Sequence, residues 1–84
     1  MYELLIERSA EKDLQKLSAE YSTKITSKIK ELASTPRPPG CRKIINSENY
    51  WRLRIGNYRI IYEILDVQKT IRIYRIKHRK DAYR

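Results

Sequence analysis

Tyr50-Trp-Arg-Leu-Arg-Ile-Gly-Asn-Tyr-Arg-Ile-Ile-Tyr-Glu-Ile64 spells out a β-hairpin. Gly56-Asn57 at its centre is a two-residue loop with glycine first, the composition of a type II′ turn, whose first position needs a positive φ. Such a turn fixes the register: Ile55 pairs with Tyr58, Arg54 with Arg59, Leu53 with Ile60, Arg52 with Ile61 and Trp51 with Tyr62. Side chains alternate along each strand, so Trp51, Leu53, Ile55, Tyr58, Ile60, Tyr62 and Ile64 share a core face. Arg52, Arg54 and Arg59 share the other face with Tyr50, Ile61 and Glu63. Two arginines directly opposite one another are unfavourable in a sheet, which points to an anionic partner for that face.

Charge is distributed accordingly. Residues 1–35 carry six basic and six acidic residues, and the whole net charge of +9 lies beyond Pro36, where thirteen Lys and Arg face four acidic residues. A basic half of this kind suits a polyanion, chiefly nucleic acid. It also fits a solubilising surface or a site for an acidic protein partner.

The 84 residues, 40% of them hydrophobic, allow one small domain over residues 1–84. One cysteine, Cys41, cannot form an internal disulfide, and with one histidine it cannot build a Cys/His zinc site, so no metal or other cofactor is expected. No apolar run approaches the roughly 20 residues of a membrane span and no signal peptide is evident, so the expected compartment is the cytoplasm.

Outward from the hairpin, Tyr2–Glu7 reads as a strand, and its run Leu4-Leu5-Ile6 suits burial on both faces. Ser9 offers an N-cap oxygen. Ala10, Leu14, Leu17, Tyr21, Ile25, Ile29 and Leu32 then draw an apolar stripe at helical spacing. The weaker helix formers of 18–22 allow either one helix or two packed as a hairpin. Pro36, Pro38, Pro39 and Gly40 end the helical region. Past the hairpin, Leu65–Thr70 reverses the chain into a strand over Ile71–Lys77. Ile71 and Ile73 are out of phase with Ile76, as a one-residue bulge would make them. The bulge would re-aim the tail His78–Arg84 toward one side of the sheet; a frayed, solvated terminus is the other reading.

Lys43-Ile44, the hairpin Tyr50–Tyr62 and His78-Arg-Lys-Asp-Ala-Tyr83 together resemble the RelE family of toxins, within the group that also holds ParE-type toxins. The resemblance spans almost the whole chain. It implies an α+β domain in which an N-terminal strand and a helical hairpin pack on a small antiparallel β-sheet with a basic face opposite. It also implies a toxin of a type II toxin–antitoxin system: a ribosome-dependent, metal-independent endoribonuclease that cleaves mRNA in the ribosomal A site and inhibits translation. The implied partners are a cognate RelB-like antitoxin, mRNA and the ribosome, with the antitoxin complex binding operator DNA. The sequence given ends just after Tyr83, where some relatives continue into a helix. The antitoxin is therefore expected to cover the basic face and not to displace such a helix.

By the resemblance, Arg59 matches a phosphate-contacting arginine, Arg79 a second one, and Tyr83 an aromatic that stacks on a base or orients the substrate. Arg52 and Arg54 stand where well-studied relatives carry lysines assigned to proton transfer or charge stabilisation. A guanidinium, with a pKa above about 12, is a poor general base, so these two are expected to bind phosphate and stabilise the transition state. His78, the one side chain whose ordinary pKa lies near neutrality, is a candidate proton shuttle or else a structural residue at the strand end. Lys43, Tyr50, Lys77 and Lys80 complete the expected RNA contacts. Glu63 is expected to neutralise Arg52 or Arg59, and Trp51 to belong to the core. Two other functions stay open: inhibition of DNA gyrase in the ParE manner, and a non-catalytic toxin homologue acting as a binding or regulatory module.

Overall fold

In the computed structural model, which describes residues 1–80, the chain forms β1 (Glu3–Ile6), α1 (Arg8–Gln15), α2 (Ala19–Leu32), β2 (Arg42–Lys43), β3 (Tyr50–Ile55), β4 (Tyr58–Leu65) and β5 (Thr70–His78). The five strands make one sheet in the order β1-β5-β4-β3-β2. β2, β3, β4 and β5 pair antiparallel. β1 departs from the expected antiparallel sheet by running parallel to β5, Leu4 beside Ile71 and Ile6 beside Ile73. A parallel neighbour needs a long crossover, which everything between β1 and β5 supplies.

The hairpin has the register its turn dictates, from Tyr50 opposite Glu63 to Ile55 opposite Tyr58. Gly56 sits at φ 58° while Asn57 stays at negative φ, as a type II′ turn requires. The bulge is also present. Ile61 pairs with Arg75 and Tyr62 with Ile73, leaving Tyr74 as the extra residue. Ile25, Ile29 and Leu32 of α2 and Ala10 of α1 are buried in one core with Leu53, Ile60, Tyr62 and Ile64 of the hairpin and Ile71, Ile73 and Ile76 of β5.

The helical stripe divides into two helices at Lys16–Ser18. Ser18, in extended conformation, caps α2 by accepting the Tyr21 N–H at 3.4 Å, which starts a new helix instead of continuing the old one. Two expectations fail at the N-terminus. β1 is an edge strand, not one buried on both faces; Leu5 is 46% and Ile6 45% exposed, and among the described residues no strand pairs with its outer edge. Ser9 is not an N-cap either. Glu7 holds that position, with no side-chain cap, and Ser9 lies inside α1.

The reason is visible along β5. β1 ends opposite Ile73, and from there α1 lies along the edge of β5 that β1 leaves open. The Glu7 N–H donates to the Ile73 carbonyl (2.9 Å), the Ser9 hydroxyl to the Tyr74 carbonyl (2.8 Å), and the Ile76 N–H to Asp13 Oδ2 (2.9 Å). The N-cap amide and two side chains of a helix thus finish a strand's hydrogen bonding. Asp13 also accepts from Arg75 Nε (2.8 Å) and Nη2 (3.1 Å). Burial alone would raise the Asp13 carboxyl; the hydrogen bonds from Arg75 and the Ile76 N–H outweigh it and hold the carboxyl below its ordinary value.

The proline loop is fixed just as specifically. The Tyr62 hydroxyl donates to the Pro36 carbonyl at 2.9 Å. Arg37 lies over the Trp51 ring, 4.9 Å from its centroid, and donates to Asp66 in the β4–β5 turn, which also accepts from the Tyr2 hydroxyl. Trp51 thus faces away from the arginine surface, as expected. These contacts set where Gly40 and β2 meet the hairpin.

Candidate nucleic-acid interface

Alternation places Arg52 and Arg54 of β3 and Arg59 of β4 on the side of the sheet away from the helices. β2 adds a fourth guanidinium there, since Arg42 pairs with Arg52. Together with Gly40, these four arginines line a hollow of about 140 Å³. Gly40 reaches it at φ 92°, a backbone conformation that favours glycine. Arg54 and Arg42 are exposed, Arg52 half-buried, and Arg59 at 9% exposure forms the floor. Guanidinium groups present planar forks of donors that match phosphate oxygens. Among the described residues that line it there is no carboxylate.

Glu63, the acid that the hairpin places on this face, does not neutralise Arg52 or Arg59 as expected. It pairs with Arg72 (3.5 Å), which in turn reaches Glu7 (3.3 Å). The register explains the choice, because Arg72 is its direct cross-strand neighbour. Among the described residues the sheet face is therefore divided, with one arginine between two carboxylates at the Arg72 end and a cluster of arginines toward the Gly56 turn.

The other expected site residues separate. Lys77 pairs with Arg59 at the arginine-rich end and is also among the residues lining a second hollow. Tyr50 lies on the arginine face and meets Tyr74 edge to face. Lys43 pairs with Trp51, on the opposite side of β2 from Arg42. His78 is likewise on the helix side. It packs edge-on against Tyr58 at 5.1 Å, and its Nδ1 accepts the Lys80 N–H at 3.2 Å. His78 lines the second hollow, of about 260 Å³, with Asp13, Lys16, Tyr58 and Arg75. The Arg79 N–H donates to the Asn57 carbonyl at 2.7 Å, which ties Arg79 to the hairpin turn; Arg79 and Lys80 are exposed. Tyr83 lies outside the described residues.

Two residues of this face escaped the sequence reading. Arg42 sits in a strand of two residues, too short to show any alternation. Tyr74 had a signal, the phase slip between Ile73 and Ile76, which marked the bulge without showing that its extra residue would face the arginines.

The fold is shared with known proteins. The chain is similar to the RelB–RelE antitoxin–toxin complex from Methanococcus jannaschii, at 30% identity and TM-score 0.78, covering 94% of each chain. It is similar to the archaeal RelE–RelB complex from Pyrococcus horikoshii at 26% identity and TM-score 0.83, covering 93% of this chain and 94% of that one. The fold also matches the isolated RelE toxin of E. coli, with TM-score 0.80 at 18% identity over 99% of this chain and 96% of that one. No curated protein matches the chain significantly. The model of a family described as the ParE toxin of type II toxin–antitoxin system, parDE, matches residues 4–83. By that match over nearly its whole length, the chain belongs to the ParE toxin family of type II toxin–antitoxin systems, within the RelE/ParE superfamily.

Proposed function

We propose that this toxin is a ribosome-dependent endoribonuclease that cleaves mRNA in the ribosomal A site and so stops translation. The observation that carries the reading is the hollow lined by Arg42, Arg52, Arg54 and Arg59. In metal-independent RNA cleavage the ribose 2′-oxygen forms a bond to the adjacent phosphorus as the bond to the 5′-oxygen breaks. The 2′-hydroxyl loses a proton, the 5′-oxygen gains one, and a cyclic phosphate remains. Negative charge builds on the phosphoryl oxygens on the way, and fixed cations in a concave, partly dry site meet it. Four guanidiniums suit that task and do not suit proton abstraction, so their role in this reading is electrostatic and positional.

The proposed partner is a RelB-type antitoxin, as in the RelB–RelE complexes to which the chain is similar. An acidic segment laid over the four arginines would silence the site, and the complex would bind operator DNA.

A second reading, inhibition of DNA gyrase, draws on the ParE family model. Two assays run side by side separate the readings. In a purified translation system with a defined message, mapped 5′ ends are expected only when toxin and ribosomes are both present. In a gyrase supercoiling assay no inhibition is expected at the same toxin concentration. Blocked supercoiling with an intact message would replace the nuclease reading by the gyrase one.

A further inference from the structure

Beside the arginine hollow the sheet carries a feature that phosphate binding does not use. Tyr74, the extra residue of the β5 bulge, follows the buried Ile73 and projects to the arginine side, where it is 46% exposed. Its ring reaches across β4 to Tyr50 on β3, with ring centroids 5.9 Å apart and an interplanar angle of 71°. The half-buried Ile61, on the same face of β4, pairs with Arg75 next to Tyr74. An edge-to-face pair leaves ring surface uncovered. Tyr50 precedes Arg52 by two positions on one strand face, a separation of about 6 to 7 Å.

From this we propose that Tyr74 and Tyr50 form a stacking platform for a nucleobase of the RNA strand whose phosphate sits among Arg42, Arg52, Arg54 and Arg59, and that the platform sets the base preference next to that phosphate. The proposal rests on reading this face as an RNA site. Charge selects a polyanion as the occupant, and the proposed function makes that polyanion RNA. Tyr50 precedes Arg52 of the four-arginine hollow by two positions and stands opposite Glu63 of the Arg72–Glu63–Glu7 cluster, where two carboxylates meet one guanidinium. A polyanion is drawn to one side of the rings only, which lays the strand with phosphate on arginine and base on tyrosine. A basic groove beside aromatic rings is the combination by which proteins hold single strands. The bulge is what makes room, adding a residue to β5 where an unbroken ladder would leave none between the partners of Ile61 and Tyr62.

The test is a fluorescence titration of wild type, Tyr74→Ala, Tyr74→Phe and Arg54→Ala with a short 2′-O-methyl RNA carrying one 2-aminopurine, which cannot be cleaved. Stacking in the wild-type complex is expected to quench the fluorophore. Tyr74→Ala should bind about 5- to 100-fold more weakly, with the quench lost and the salt dependence unchanged. Tyr74→Phe should behave as wild type. Arg54→Ala should keep the quench and lower the salt slope by about 0.7, the single-strand value for one phosphate. Tyr74 is half-exposed, so matching thermal midpoints will confirm that Tyr74→Ala is folded. Absence of quenching with wild type, or equal affinity and quenching in Tyr74→Ala, overturns the proposal. Loss of antitoxin binding in Tyr74→Ala with RNA stacking intact overturns it too, assigning the rings to a protein contact. Because the RNA is uncleavable, the titration decides the platform even if message mapping refutes the nuclease.

Discussion

Arg54 and Arg59 face one another across the β3–β4 hairpin, two cations in a single cross-strand pair, one exposed and the other almost buried. Like charges so placed lower stability by a fraction of the roughly 0.2 to 1 kcal/mol that cross-strand pairs are worth. Replacing the exposed partner should therefore separate folding from function. Arg54→Ala is expected to leave the thermal midpoint unchanged or slightly raised, and to cut growth inhibition sharply. A variant that is both destabilised and still toxic would show that the pair serves the fold.

The turn that sets this pair makes a second prediction. Gly56 stands at φ 58°, and a Cβ there would come within 3.2 Å of Tyr21 Cε1. Gly56→Ala should lose about 1 to 2 kcal/mol in urea unfolding, the usual cost of forcing an L side chain into the left-handed region. Gly56→Asn, which tolerates that region better, should lose less if Tyr21 can yield.

How far the sequence anticipates the molecule depends on the range of the interaction. The hairpin, its register and the Ile73/Ile76 bulge are local patterns of turn chemistry and alternation, and they appear in the fold as read. The arginine cluster follows directly from them. What the sequence does not display is pairing between distant segments: β1 beside β5 in parallel, Arg42 brought beside Arg52 by a two-residue strand, and Asp13 meeting Arg75 at a separation of 62 residues. Leu4-Leu5-Ile6 misled because an apolar run at a sheet edge looks the same as one in its middle. Glu63 misled because its partner, Arg72, lies on a strand whose register the hairpin does not set.

Asp13 yields a pH prediction. Its carboxyl is held below the ordinary 3.8, so its stabilising effect is complete above that value and is lost as pH falls through the lower folded-state value. Asp13→Asn should be less stable than wild type at pH 7 by about 2 kcal/mol, the scale of hydrogen bonds to a charged group. The gap should close as pH drops below 3.8. Urea unfolding of both proteins at pH 7 and pH 3 checks this; a gap of equal size at the two values would mean that charge on Asp13 is immaterial.

His78 packs against Tyr58 on the helix side of the sheet, away from the four arginines. Loss of a general acid or base typically lowers a rate by at least about 100-fold. His78→Ala is expected to fall far short of that in message cleavage. A loss of the full size would bring His78 back as the proton shuttle its residue type suggests.

The central claim is that the arginine hollow acts on RNA held by the ribosome. Primer extension on a reporter message with translating ribosomes, comparing wild type with Arg52→Ala and Arg54→Ala at matched folded concentrations, tests it most directly. The account predicts new 5′ ends that require ribosomes and wild-type toxin, falling by about 100-fold or more in each variant, the scale of losing one fixed charge-stabilising donor. An intact message at toxin concentrations that halt growth, or undiminished cleavage by both variants, would contradict it.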